Sequence, residues 1–139
     1  MKPYQHSRIS VSKFGGTESD YQAIHDWFDS TKSSVADMRH RMILHNAFGI
    51  FLCEQVFGTM EQKADGSWIR MPYIVNSEGA KVQVRDIAEQ HVLDDLGQIP
   101  SLDKCLSSME LENWMGGPIR ARKVMRLGDL KGANIEIVD

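Results

Sequence analysis

Cysteine is scarce in this chain, and its scarcity is informative. The two thiols, Cys53 and Cys105, belong to no CxxC pair. This argues against a disulfide scaffold and a thiolate-rich zinc site, and it favours a reducing cytoplasmic setting. No apolar run approaches the ~18 residues of a membrane span, so no membrane partner is expected. The N-terminal stretch MKPYQHSRISVSKFGG lacks the apolar segment of a signal peptide. Charge excess is also missing: 16 basic against 19 acidic residues leave a net charge of −3. Without a global positive field, nucleic acid is disfavoured as a partner. A glycine-rich phosphate loop, a GxSxG elbow and a dinucleotide fingerprint are all absent. Neither thiol has a sequence-evident activating partner, which disfavours a cysteine nucleophile. There is no internal repeat and no low-complexity tract.

At 139 residues and 42% hydrophobic content, the chain suits one soluble domain, residues 1–139, with a single core. Residues 1–18 read as an irregular arm closed by Gly15-Gly16. In it, Tyr4, His6, Arg8 and Lys13 are candidates for a phosphate-contacting lid. A helix is predicted from Asp20, with Tyr21, Ile24, Trp27 and Phe28 facing inward. The stretch from Asp37 to Phe57 is apolar on nearly every side and predicts one central, buried helix closed by Gly58. Met38, Met42, His45, Gly49, Leu52 and Val56 would form one stripe of it. Gly49 in mid-helix implies something approaching the backbone closely.

Further along, Trp68–Val75 and Ala80–Val84 predict a small hairpin around Asn76-Ser77-Glu78-Gly79. Asp86 opens another helix, which Gly97 closes. On its wheel His91 and Asp95 fall inside the apolar arc set by Ile87, Ala88 and Val92. A short helix follows over Ser101–Leu111. The tail, 116–139, offers a second hairpin, Lys123–Leu127 with Ile135–Val138. It also carries a basic cluster, Arg120, Arg122, Lys123 and Arg126, read as a solvated face or a phosphate contact. The expected fold is thus α+β and mostly helical, with a central buried helix and one or two small β-hairpins.

The chemistry-bearing residues recur in one pattern. His25/Asp29 and His91/Asp95 each place an imidazole and a carboxylate one helical turn apart, on a shared face. With His45 from the central stretch, three inward histidines converge on two carboxylates. Imidazole with carboxylate suits a divalent ion such as zinc, manganese or iron. The expected ligands are His25, His45, His91 and Asp95. Asp29 would stand behind them or act as a base, and Arg41 would neutralise a phosphate oxygen. His25-Asp26 also resembles the doublet of HD-type phosphohydrolases, although those place a helical histidine ahead of the doublet, where this chain has only His6 in an expected loop.

The function this suggests is a metal-dependent hydrolase of phosphate esters or nucleotides. The alternative is a non-catalytic phage or bacterial protein that sequesters a small anionic ligand or binds a host protein. The segments FGG, IHDWFD, RHRMILHNAFGIFLCEQVFG, VRDIAEQHVLDDLG and IPSL resemble a small family of bacterial and phage single-domain proteins of unknown function. The likeness covers most of residues 4–114 and fades after Met115. It implies a prokaryotic or phage cytoplasmic origin and brings no catalytic residues with it.

Overall fold

The computed structural model describes residues 1–116. They divide into a compact unit, Met1–Leu106, and a segment beginning at Ser107, whose described part holds one 3-10 turn, Asn113–Met115. The second hairpin expected in the tail and the basic cluster Arg120–Arg126 lie outside the described residues. Within the compact unit the architecture is mostly helical α+β, with two separate two-stranded antiparallel sheets. Among the described residues no helix is long and apolar enough to cross a membrane.

Helix α5, Val84–Leu96, is the axis of the unit. Val84, Ile87, Ala88, His91 and Val92 are all buried and recur at three- and four-residue spacing, so one stripe of this helix meets neighbours along its length. Gly97 ends it in the left-handed region (φ 71°), where its N–H reaches the Leu93 carbonyl. Around α5 pack α1 (Pro3–Phe14), α2 (Gln22–Asp29) and α4 (Ala47–Val56). Tyr21, Ile24, Phe28, Leu44, Ile50 and Cys53 close the apolar core against α5.

The 1–18 arm is not irregular. Pro3 occupies the first helical turn of α1, where a missing N–H costs nothing, and the Gln5 side chain accepts from the Lys2 amide at 2.8 Å. The buried face of α1 carries His6, Ser7 and Ser10. Apolar periodicity cannot find a helix whose inward side is polar. The proposed lid is likewise corrected. His6 is fully buried, while Arg8 lies over the Tyr4 ring and pairs with Glu18.

The 37–57 stretch is not one helix either, nor the buried centre of the fold. It comprises a 3-10 turn at Met38–His40, a single turn α3 (Arg41–Leu44), and then α4. Asn46 makes the break. Its side-chain oxygen accepts from Gly49 N at 2.8 Å, capping α4, while its amide donates to the Met42 carbonyl at 3.0 Å. Met38, Ile43, Phe48, Phe51 and Val56 are exposed, so the all-round apolar pattern does not signal burial here.

Gly49 is where the close approach occurs, and the partner is the chain's own backbone. A Cβ built there would lie 1.7 Å from the Leu44 carbonyl oxygen. The hairpins also divide differently from expectation. Strand β1 (Met60–Gln62) pairs with β2 (Trp68–Arg70) around Ala64-Asp65-Gly66. Strand β3 (Tyr73–Val75) pairs with β4 (Lys81–Gln83) around Asn76, whose side-chain Oδ1 accepts from the Glu78 and Ala80 amides. The helix expected over Ser101–Leu111 is confined to α6, Leu102–Leu106.

Gly49→Ala is expected to lower stability by about 1–3 kcal/mol, as overpacking against immobile backbone does. A thermal melt measures it, and an unchanged midpoint would contradict the close approach. Burial pushes the Cys53 thiol up to about 12, so in the native protein at pH 8 it is expected to resist a thiol reagent that labels it in denaturant.

Candidate metal centre

Three helical segments deliver polar side chains to one interior point beside the apolar core. Helix α2 presents His25 and Asp29 on the face that also buries Ile24 and Phe28. Helix α5 presents His91 and Asp95, one turn apart. His45 comes from the break between α3 and α4, where its backbone (φ −80°, ψ 59°) leaves the helix. Helix α1 adds His6, which no periodicity had placed there.

The inner shell consists of Asp29 Oδ1, His45 Nε2, His91 Nε2 and Asp95 Oδ2. His45 Nε2 lies 3.0 Å from Asp95 Oδ2 and 3.2 Å from His91 Nε2. His91 Nε2 lies 3.4 Å from Asp95 Oδ2, and Asp29 Oδ1 is 3.6 Å from both imidazole nitrogens. For ligands held at about 2.0–2.1 Å from a tetrahedral ion, the ligand–ligand edges come to about 3.3–3.4 Å. The observed edges bracket that value. His45, His91 and Asp95 form the tight face, and Asp29 is the looser corner.

The outer oxygens have other neighbours. Asp95 Oδ1 is 3.2 Å from His6 Nε2, 3.3 Å from the Met1 amine and 3.7 Å from Arg41 Nη2, whereas Asp29 Oδ2 is 3.9 Å from Lys32 Nζ. The Asp95 side chain is wholly buried and that of Asp29 is 7% exposed. A desolvated carboxylate is costly unless it is compensated. Cations answer the outer oxygens, while the inner ones face the His45 and His91 imidazole nitrogens.

Electrostatics follow from this packing. Burial opposes charge on the Asp95 carboxyl, but hydrogen bonds from His45, His6 and His91 outweigh it and hold the group well below the usual carboxylate range. Asp29 is likewise held down, burial being overcome by His91. Burial alone would depress His91, yet Asp29 and Asp95 raise it. His45 is lowered, chiefly by burial. His25 is pushed down to about 2 by burial and by its neighbours His91 and His6. Two carboxylates thus draw a positive charge into the space between His45 and His91, supplied by a proton on His91 or by a metal ion.

Of the residues expected at the site, His45, His91, Asp95 and Asp29 come together, and Arg41 borders Asp95. His25 does not join that set: its Nδ1 is 2.9 Å from His91 Nδ1, and its Nε2 is 2.8 Å from Ser10 Oγ. Asp26 is exposed and accepts from Gln22 Nε2, so the HD doublet does not present both its side chains to the interior. His6 was missed as a site residue. It is stacked on the His91 ring at 3.9 Å and lies between Asp94 and Asp95. The available sequence signal was Pro3 followed by inward residues at positions 6, 7 and 10.

The metal-free protein is expected to lose stability as pH falls. Folding holds His25 and His45 below their ordinary value near 6.5, so below that pH the unfolded chain binds more protons, and stability declines as pH drops from 7 towards 5. His91, with its raised value, works in the opposite sense and only partly offsets this. Chelator-treated protein melted across that range gives the sign. A midpoint rising towards pH 5 would contradict it.

A family model described as a domain of unknown function, DUF6915, matches residues 1–74 and 69–115. No curated protein and no solved structure matches the chain.

Proposed function

This chain belongs to the DUF6915 family, and we propose that it is a metal-dependent hydrolase acting on a phosphate ester or nucleotide in a prokaryotic or phage cytoplasm. The observation that carries the reading is the convergence of Asp29, His45, His91 and Asp95, whose ligand atoms all lie within 4.8 Å of one another. Two imidazoles and two carboxylates without thiolate suit zinc first, with manganese and iron as competitors. A divalent ion in this set would lower the pKa of a coordinated water towards about 7 and so supply a nucleophile at neutral pH.

The chain's own residues divide the remaining work. His45, His91 and Asp95 form the tight face and would hold the ion. Asp29 is the outlying corner, and its carboxylate is placed to take a proton from a nucleophilic water. Lys32 beside Asp29, and Arg41 beside Asp95, give the rim two cations that suit an anionic substrate.

A second reading has its own support. Four protein donors, all nearly buried, make a closed set, and closed sets are typical of structural zinc. In that case the ion would hold α2, the joint between α3 and α4, and α5 together without turnover.

Purified protein is expected to contain one equivalent of ion per chain, and Asp95→Asn to contain almost none. Ion at ~100 times its Kd should add about 2.7 kcal/mol of stability, read as a rise in the melting midpoint. Hydrolysis of p-nitrophenyl phosphate and of bis(p-nitrophenyl) phosphate then separates the readings. If catalytic, Asp29→Ala keeps the ion and loses turnover. If structural, the same variant loses affinity and melts lower, and wild type releases no nitrophenolate. No stoichiometric ion, together with a melt indifferent to chelator, would overturn both.

A further inference from the structure

We propose that His25 is the positioning residue of this centre: it accepts the Nδ1–H of His91 and so fixes the His91 Nε2 lone pair towards the ion. The inference rests on the metal reading above and adds a role for a side chain outside the ligand set.

The argument begins at Gln90, whose orientation is fixed by its partners. Its side chain is buried, 3.0 Å from the His6 carbonyl and 3.0 Å from Asp94 Oδ2, both pure acceptors. The amide NH2 must therefore face them, which turns Oε1 to Ser10 Oγ at 2.6 Å. The reverse flip would set oxygen against two acceptors.

Ser10 has one hydroxyl hydrogen. Two acceptors compete for it, Gln90 Oε1 and the His6 carbonyl at 3.1 Å. Whichever takes it, the hydroxyl has no proton left for His25 Nε2 at 2.8 Å. The imidazole must donate, so Nε2 carries the hydrogen. The other ring nitrogen, His25 Nδ1, lies 2.9 Å from His91 Nδ1, so one of the two carries the shared hydrogen and the other accepts it. His91 Nε2 faces His45 Nε2, Asp29 and Asp95, and an ion held there takes its lone pair, so Nδ1 of His91 carries the hydrogen and His25 Nδ1 accepts it.

One residue further from the centre, every link has a single consistent direction: Gln90 sets Ser10, Ser10 sets His25, and His25 sets His91. Metal-bound imidazoles depend on such outer partners, whose removal costs about 10- to 100-fold in affinity. Helix α1 also acquires a purpose here, because its buried serine orients a histidine on α2 that in turn orients a ligand on α5.

Competition for zinc against a chromophoric chelator tests the assignment, with wild type, His25→Leu and His25→Gln compared. Glutamine keeps an acceptor for His91 and a donor for Ser10, whereas leucine fills space without either. Leucine is expected to weaken affinity about 10- to 100-fold and glutamine to restore most of it. Leucine binding as tightly as wild type would overturn the proposal, and so would equal losses in both variants, since packing alone would then account for them.

Should either variant fail to fold, long-range 1H–15N spectra of zinc-loaded wild type give the answer directly. His25 is expected as the Nε2–H tautomer and His91 as Nδ1–H. The opposite pattern overturns the proposal. Wild type that binds no zinc removes the metal reading itself, a result distinct from unaltered affinity in the leucine variant.

Discussion

Two carboxylates buried within reach of the same pair of imidazoles set the terms for this molecule. Asp29 and Asp95 have their inner oxygens turned to His45 and His91 and away from solvent. Such an arrangement is unfavourable unless positive charge sits among them. The surrounding fold can be read as the means of holding that arrangement. Helix α5 supplies two of the four groups, α2 supplies a third, and a deliberate break in the chain supplies the last. The apolar core beside it, from Tyr21 to Val92, provides the burial that makes the polar cluster dry, with Phe28 stacked on His91.

The break at Asn46 shows how local chemistry serves the interior. An uninterrupted helix through residues 37–57 would have carried His45 on a continuous stripe. Instead the Asn46 cap and the glycine at 49 let α4 start anew against the Leu44 carbonyl, and His45 sits at the joint with its ring free to turn inward. Among the described residues its Nδ1 has no hydrogen-bond partner, whereas His91 is tied through His25 to Ser10 and Gln90. The two imidazoles of the centre are therefore held differently, one by a hydrogen-bond chain and the other by backbone geometry and ring packing against Phe28 and His40.

Legibility in the sequence followed the chemistry of each buried face. Helix α5 was readable because its apolar arc is interrupted by His91 and Asp95, and those two stood out for that reason, although Gln90 is buried as well; Gly97 marked its end. The β3–β4 hairpin was readable from its Asn-Ser-Glu-Gly turn. Helix α1 was not, because His6, Ser7 and Ser10 form its inward face and look like loop residues to any hydrophobic template. The apolar run 37–57 misled in the other direction: Phe48 and Phe51 are exposed, and the asparagine that interrupts the run is a cap signal hidden among strong helix formers. Pairing by i,i+4 spacing brought His91/Asp95 and Asp29 to the site. It could not tell that His25, from the same helical face, spends both nitrogens on neighbours. Deciding between a ligand and the residue behind it needs coordinates.

The central claim is that a metal ion, rather than a proton on His91, completes the cluster. X-ray absorption at the zinc edge on loaded protein addresses it most directly. Four nitrogen and oxygen neighbours at about 2.0–2.1 Å, with the outer-ring scattering of two imidazoles and no sulfur, are expected. A shell containing sulfur at about 2.3 Å, or a shell of water oxygens without imidazole scattering, would place the ion elsewhere and contradict the claim.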